Sequence, residues 1–249
     1  MGCASAGVCQ GLRRGLDEKN TRDTPRAGIL TRTMYYASYY RWLVFNKYLK
    51  AAIPPTSLLD VGCDDGYFLS QIEAQLKAGV DLAPPPRAKQ YFPVTTADGL
   101  HLPFKPGSFD TVLALDILEH VADDEGLLHS LVGVVSAGGR LWLSTPSENF
   151  SIFPAFVTGR AERGWGHVRR GYSVEALERK LPPGAEVEAI FYWNEPFFRV
   201  ACVALRLIWI ALPPLARWLA GCCAQLDNLA RDGTAGHIFL EIRKFSTFK

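Results

Sequence analysis

The stretch SLLDVGCDDG at residues 57–66 sets an apolar run of strand length directly before a loop that contains two glycines. The next residues, YFLSQI at 67–72, return to helical spacing. Gly62 and Gly66 let the backbone turn sharply and let a ligand approach without meeting a Cβ atom. We call residues 60–66 the glycine loop. A strand, a glycine loop and a helix in this order predict the first unit of a doubly wound α/β sheet.

The alternation of strand-like and helix-like segments continues beyond this unit. Short runs of strand composition lie near residues 57–61, 78–82, 93–96, 109–115, 138–145, 187–193 and 236–244, and helices are expected between the first five. We therefore predict an α/β fold with a doubly wound, mainly parallel seven-stranded sheet and helices on both faces. A helical insertion is expected before the last strand.

Composition and charge limit the classes of protein that fit. The 249 residues, 48% of them hydrophobic, allow one good core with a small appendage. A net charge of +2 with both signs mixed along the chain gives no basic field, so we expect no nucleic-acid partner. Six cysteines without paired CxxC units, and an N-terminus without an apolar signal core, favour the cytoplasm. We also predict no metal ligands.

The chain divides into a polar lead-in and one domain. Residues 1–32 have no sustained apolar period, which predicts a mobile N-terminal arm. Residues 33–249 are expected to form the domain, beginning with an aromatic helix at 33–50 that Pro54 and Pro55 stop. This helix either packs on the core or contacts substrate as a lid, and the sequence leaves both interpretations open.

Acidic residues follow successive predicted strands. In a doubly wound sheet, ligands bind beyond the carboxyl ends of the strands. Asp81, before Leu82, ends the second strand, where an acid accepts hydrogen bonds from ribose hydroxyls. Asp98 and Gly99 follow the third strand, where the carboxylate could accept from the exocyclic amine of adenine, and Asp116 ends the fourth. These acids predict a nucleoside-binding crevice.

Four segments resemble, in order and spacing, the class I S-adenosylmethionine-dependent methyltransferases of the small-molecule type: LLDVGCDDGYFL, GVDLAP, ADGLHLPFKPGSFDTVLALDILEHV and GGRLWLSTP. The resemblance covers residues 57–149 and implies S-adenosyl-L-methionine as the cofactor. It implies that Asp60 and Gly62 lie near the methionine moiety, that Asp81 holds the ribose and that Asp98 faces the adenine. The predicted cofactor site in full is Asp60, Gly62, Gly66, Asp81, Leu82, Asp98, Gly99 and Asp116.

One position departs from the family pattern. The first motif usually carries a middle glycine, and this chain has Asp64 there. A side chain at this point either crowds the cofactor or points away from it. The alternative function is therefore a catalytically inactive, methyltransferase-like partner protein with a membrane-associated insertion. The missing third glycine also argues against a nicotinamide site, which needs G-x-G-x-x-G.

Two histidines and a tyrosine are the candidates for catalysis. The methyl group on a sulfonium is already activated, so the protein mainly has to position the acceptor and exclude water. A hydroxyl acceptor also needs a base, and imidazole titrates nearest neutral pH, which favours His120 and His167. His167 and Tyr172 belong to the loop GHVRRGYS at 166–173, which resembles the loop where acceptors enter in this methyltransferase subgroup. A purely bracing role for His167 stays open.

An apolar insertion is expected at residues 195–234, with its most apolar part at 197–226. Its arginines at 199, 206 and 217 return to nearly the same helical azimuth, which predicts a basic stripe. Pro213 and Pro214 divide the segment into pieces shorter than the roughly 20 residues that cross a bilayer. We predict a helical hairpin in the membrane interface, with arginines toward the head groups, over a cap on the sheet or a second subunit. The acceptor is then small or lipid-like, the location peripheral to a membrane, and the oligomeric state open.

Overall fold

The computed structural model describes residues 36–49, 54–84, 92–150, 166–193, 196–229 and 236–245. The predicted N-terminal arm, residues 1–32, lies outside the described residues. The elements in chain order are α1 (Tyr36–Leu49), β1 (Ser57–Val61), α2 (Tyr67–Gln71), β2 (Leu76–Asp81), β3 (Val94–Thr96), β4 (Phe109–Leu115), α3 (Asp124–Val134), β5 (Val135–Pro146), α4 (Val174–Glu178), β6 (Ala185–Trp193), α5 (Pro196–Ala211), α6 (Pro213–Leu229) and β7 (His237–Lys244).

The strands form one seven-stranded sheet in the order β3-β2-β1-β4-β5-β7-β6. The first five strands run parallel, whereas β7 pairs antiparallel with both β5 and β6. The sheet is therefore mainly parallel, as predicted. Strand order reverses between β1 and β4, and this reversal opens a crevice at the carboxyl ends of the two strands.

The central strands are apolar on both faces, as a covered parallel sheet requires. Neighbouring residues alternate between two apolar clusters: Leu58 and Leu113 belong to one, and Leu59 and Val112 to the other. Because successive side chains of a strand point to opposite faces, the clusters lie on opposite sides of the sheet. One contains residues of α3 and α4, and the other contains residues of α1, α2 and α6.

One connection differs from the expectation of a helix between each of the first five strands, and a second cannot be compared. Between β3 and β4 the chain forms only a single 3-10 turn, Gly99–His101, because Pro103 and Pro106 interrupt any longer helix. Between β2 and β3, residues 85–91 lie outside the described residues. The first helix of the sheet, α2, is only five residues long.

The insertion before β7 is helical, as predicted, and consists of α5 and α6 packed against each other. The buried Asp227 on α6 joins three helices. Its carboxylate accepts hydrogen bonds from the backbone N–H groups of Phe197 (2.8 Å) and Phe198 (3.2 Å) on α5, and from the hydroxyl of Tyr40 on α1. Among the described residues, no helix combines the length and apolarity needed to span a bilayer.

The predicted basic stripe of the insertion is wrong for the two arginines whose side chains are described. The guanidinium carbon of Arg199 lies 5.0 Å from the ring centroid of Phe150. That of Arg217 lies 6.0 Å from the ring of Tyr39 and 5.8 Å from that of Trp209. Both arginines therefore turn toward the protein, because cation–π contacts hold their guanidinium groups against its own aromatic rings. The side chain of Arg206 lies outside the described residues.

Candidate active site

The glycine loop turns through three residues with positive φ: Gly62 (78°), Asp64 (42°) and Gly66 (76°). The backbone N–H of Gly62 donates to the carbonyl of Val80 on β2 at 2.7 Å. A Cβ atom at Gly62 would meet the side chain of Ile117 at 3.1 Å. Conformation and close packing therefore both demand glycine at this position.

Asp64 stands where the family pattern has a glycine, yet it keeps the turn. Its φ lies in the left-handed region, which aspartate tolerates better than most residues. Its backbone N–H donates to Oδ2 of Asp81 at 2.9 Å. An aspartate at this point is thus compatible with the geometry that links the glycine loop to the end of β2.

The carboxylate of Asp81 is held in place through both of its oxygens. Oδ2 accepts from Asp64, and Oδ1 accepts from the backbone N–H of Ala83 at 2.9 Å. Each carboxylate oxygen has a second lone pair, so both can still accept from a ribose hydroxyl. The neighbouring Leu82 is 69% exposed and offers apolar surface beside this carboxylate.

Asp98 and Gly99 have structural roles after β3. The Asp98 carboxylate accepts from the backbone N–H of Leu100 at 2.9 Å and so caps the 3-10 turn. A Cβ atom at Gly99 would lie 2.9 Å from the side chain of Leu127 on α3. The predicted contact of Asp98 with adenine remains a prediction.

Asp60 is a buried acid, only 3% exposed, at the start of the glycine loop. Burial, followed by the nearby charges of Asp81 and Asp65, raises the pKa of Asp60 to about 7. The carboxylates thus repel one another when ionised. A cation placed among them, such as the ammonium of a methionine moiety, would relieve this repulsion.

Asp116, after β4, is a non-glycine residue with a φ of 52°. Its carboxylate accepts from the hydroxyl of Ser144 at 2.6 Å and pairs with Arg41 at 2.8 Å. Burial by itself would raise the pKa of Asp116, but Arg41, then His237 and Ser144, bring it below its usual value. Arg41 comes from α1, and the sequence analysis missed it because no local pattern links positions 41 and 116.

His120 and His167 come together although 47 positions separate them. Their ring centroids are 4.8 Å apart and the rings are nearly perpendicular, at 87°. The backbone N–H of Val168 donates to the carbonyl of Glu119 at 2.9 Å, which fastens the 166–173 loop beside the turn that carries His120. Burial, then the neighbouring His120, lowers the pKa of His167. His167 is therefore neutral at pH 7 and able to accept a proton.

Glu119 completes a cluster with the two histidines. Donor atoms of Glu119, His120 and His167 all lie within 4.8 Å of one another. Burial, then the charge of Asp116, raises the pKa of Glu119 to about 8. Two imidazoles and a carboxylate are also a donor set that divalent ions bind. The sequence analysis predicted no metal ligands, because spacing along the chain gave no sign of this arrangement.

Tyr172 is not part of that cluster. Its buried hydroxyl donates to Asp124 at 2.9 Å, and Asp124 also pairs with Lys180 at 2.9 Å and with Arg169. Burial, then Asp124, raises the pKa of Tyr172. The hydroxyl thus braces the 166–173 loop, and the catalytic role of Tyr172 remains a prediction.

His237, the first residue of β7, is a further residue that the sequence analysis missed. Its charge influences the pKa values of Asp116, Glu119 and His167. Its ring lies 5.2 Å from that of Phe150. A histidine at the beginning of an apolar strand gives no functional signal until the sheet order brings β7 beside β5.

A reversed last strand, a glycine loop after β1 and an acid at the end of β2 together define the Rossmann-like methyltransferase fold. Comparison with known proteins agrees. A family profile described as a methyltransferase domain matches residues 59–143. A solved S-adenosylmethionine-dependent methyltransferase from Mesorhizobium loti superimposes with a TM-score of 0.57 at 18% identity, covering 84% of this chain and all of that one.

Two curated relatives carry the same name, ubiquinone biosynthesis O-methyltransferase. The one from Xanthomonas axonopodis pv. citri is 30% identical over 200 residues, which is 74% of this chain and 70% of the relative. The one from Xanthomonas campestris pv. campestris strain B100 is 32% identical over 124 residues, which is 44% of this chain and 51% of the relative. The chain belongs to the class I S-adenosylmethionine-dependent methyltransferases, whose methyl donor is S-adenosylmethionine. It spans about half the length of the relatives from Xanthomonas campestris.

Proposed function

We propose that this protein transfers a methyl group from S-adenosylmethionine to an oxygen atom of a small or lipid-linked acceptor. The observation that carries the proposal is the pair of imidazoles, His120 and His167, beside the buried acid Glu119. The name shared by the relatives, which specifies O-methyl transfer, supports an oxygen acceptor.

The crevice fits the proposed cofactor through its acids. Asp81 presents a carboxylate that two backbone amides orient, which suits a ribose. Asp60 is a partly protonated acid at neutral pH, and it suits the ammonium of the methionine moiety. The positive φ angles at Gly62 and Gly66 make the sharp turn that carries the backbone of the glycine loop along the crevice.

His167 acts as the general base in this proposal. S-adenosylmethionine, when bound, supplies a methyl group that its sulfonium already activates. His167 takes up the proton of the acceptor hydroxyl while the oxygen forms its bond to the methyl carbon, and the electron pair of the broken bond stays on sulfur. His120 holds the ring of His167 through its edge-on contact, and Tyr172 fixes the loop that carries it.

A second route uses the same cluster to bind a divalent ion. Glu119, His120 and His167 could hold the ion, which would stabilise the acceptor as an oxyanion in place of a protein base. A chelator added to the assay separates the two routes. Activity that survives extensive chelation favours the base, whereas activity that is lost and then restored by an added divalent ion favours the metal.

A labelled-methyl assay against a lipid extract and a soluble metabolite extract tests the proposed activity. We expect label in acceptor molecules, and a loss of about 10²–10⁴-fold in kcat for His167→Ala.

Asp81→Ala should abolish binding of S-adenosylhomocysteine in isothermal titration while the sheet stays folded. Unchanged affinity in Asp81→Ala would mean that the ribose binds elsewhere. Wild-type protein that binds the nucleoside but labels neither extract would favour the inactive partner protein.

We further propose that α5 and α6 contact a lipid surface. Seven large apolar side chains on these helices are exposed: Phe197, Val200, Leu207, Ile210, Leu215, Trp218 and Leu226. Ile210 is 76% exposed and Trp218 is 65% exposed. A concentration of exposed apolar side chains on two neighbouring helices favours an interaction surface, and tryptophan favours the membrane interface. Because Arg199 and Arg217 turn toward the protein, burial of apolar side chains is the main contribution to the attraction between these helices and a lipid surface.

Co-sedimentation with phosphatidylcholine vesicles tests this contact. We expect the Ile210→Ser/Trp218→Ser double variant to partition at least about tenfold less than wild type, because it loses two large apolar side chains. Val168→Ser is the matched control, since Val168 is 55% exposed in the 166–173 loop. Equal partitioning of wild type and the double variant would refute lipid contact through this surface.

A further inference from the structure

Arg217 lies in an aromatic setting between three helices. It belongs to α6, and its guanidinium carbon is 6.0 Å from the ring of Tyr39 on α1 and 5.8 Å from the ring of Trp209 on α5. The two rings are themselves 5.7 Å apart, tilted at 44°. The cation is thus flanked by flat apolar surfaces, of the kind on which a planar ligand stacks.

No anion in the described part of the chain accompanies this cation. Among the described residues, Arg217 makes neither a hydrogen bond nor an ion pair, and its Nε is shielded from solvent. A buried Nε–H without a hydrogen-bond acceptor is unfavourable, and the ring contacts offset only part of that cost. The next residue, Trp218, faces outward on the proposed lipid-contacting surface. The arginine is therefore held on the inner side of α6.

Arg217 is close enough to Tyr67, the residue that follows the glycine loop, for its charge to act on that side chain. Tyr67 follows Gly66 directly, and its backbone N–H donates to the carboxylate of Asp65 at 3.2 Å. Burial, then Tyr39, raises the pKa of the Tyr67 hydroxyl, whereas the charge of Arg217 opposes that rise. The charge of Arg217 therefore reaches the first residue of α2, at the edge of the crevice.

We propose that Arg217 binds the carboxylate or phenolate oxygen of an aromatic acceptor, whose ring lies against Tyr39 and Trp209. An arginine fork pairs with such oxygens through charge-assisted hydrogen bonds, which supply the missing acceptors. The inference rests on the proposed methyl transfer and narrows its acceptor to an anionic aromatic molecule. It gives the insertion two faces, one toward lipid and one toward substrate.

Benzoate and benzamide test this subsite, because the two probes have nearly the same shape and differ in charge. Each is titrated into the full chain with and without S-adenosylhomocysteine. We expect wild type to bind benzoate at least about tenfold more tightly than benzamide. Arg217→Gln should remove this preference, and Arg217→Lys should keep part of it. Arg179→Gln, which changes an exposed arginine directly after α4, should leave it intact.

Three results would overturn the subsite. They are equal binding of both probes by wild type, an unchanged preference in Arg217→Gln, and a loss of S-adenosylhomocysteine affinity in Arg217→Gln. The last would put the carboxylate of the cofactor on Arg217. Thermal unfolding checks the fold of each variant, and Arg217→Lys decides the question if Arg217→Gln fails to fold. A chain that methylates nothing yet prefers benzoate through Arg217 would defeat the proposed function and leave the subsite standing.

Discussion

Asp60 is a carboxyl group whose proton the fold binds more tightly than the unfolded chain does. Its pKa rises from 3.8 to about 7, chiefly because of burial. A raised pKa means that the contribution of this group to stability is fully present below about pH 4. It is lost as pH rises through about 7. The folded protein thus carries an electrostatic cost at this position at and above neutral pH.

Asp60→Asn should remove that cost. We expect a gain in the free energy of unfolding at pH 8 of up to about 4 kcal/mol, the equivalent of about three pKa units, and a flatter dependence between pH 4 and 8. Urea denaturation at pH 5 and pH 8 measures both. S-adenosylhomocysteine should bind more weakly to the variant, because its ammonium loses an anionic partner. A pH dependence identical to that of wild type would contradict the assignment, and Glu186→Gln, an exposed acid, is the control.

Asp64 holds the left-handed turn of the glycine loop at some cost in strain. Asp64→Val should lower the free energy of unfolding by about 1–2 kcal/mol, because a β-branched residue fits a positive φ poorly. Asp64→Gly should change it by less than about 1 kcal/mol, since relief of strain is balanced by greater freedom of the unfolded chain. Urea denaturation distinguishes the two. A large gain in S-adenosylhomocysteine affinity for Asp64→Gly would mean that the aspartate crowds the cofactor.

Among the helices, Asp227 is the joint between α1, α5 and α6. Asp227→Ala leaves the N–H groups of Phe197 and Phe198 and the Tyr40 hydroxyl without this acceptor. We expect it to lower the free energy of unfolding by about 2–4 kcal/mol, and Tyr40→Phe to lower it by about 1 kcal/mol. Urea denaturation of both variants measures the difference. A loss below that of Tyr40→Phe would mean that the joint does not hold the insertion.

The strands were predictable as elements because each is a short apolar run bounded by turn residues. Their order follows from right-handed crossovers and from the reversal between β1 and β4. A helix between β3 and β4 was predicted but does not form. The alternation of strands and helices suggests one, but the two prolines of this connection prevent it. The outward orientation predicted for the arginines of the insertion was also wrong for the two that are described. A shared azimuth on a helix says that side chains lie on one face, but not whether that face turns outward.

For the molecule as a whole, the candidate site was predictable only where it follows strand ends. Asp60, Asp81 and Asp116 occupy positions that the topology alone brings to one crevice. Arg41 and His237 were not predictable in this way, because α1 and β7 lie far in sequence from the strand ends that form the crevice. The cluster of Glu119, His120 and His167 likewise needs the loop that Tyr172 braces, and no spacing rule encodes that contact.

The helix α1 contacts both the crevice and the insertion. Arg41 pairs with Asp116 in the crevice, whereas Tyr39 and Tyr40, beside it in sequence, contact residues of the insertion. The proposed lipid contact of α5 and α6 would therefore involve helices that pack against the same helix, α1, that contacts the end of β4.

The pairing of β6 with β7 has a consequence for how such proteins diversify. Trp193 and His237 are direct partners across the two strands, so the chain leaves the sheet and returns to it about 5 Å away. A tight hairpin could close the same gap. The segment between them is therefore joined to the sheet at one pair of neighbouring residues, while α6 packs on one face of the sheet and Asp227 ties it to α1. A lineage that replaced this segment would keep the strand pairing but would have to rebuild those contacts.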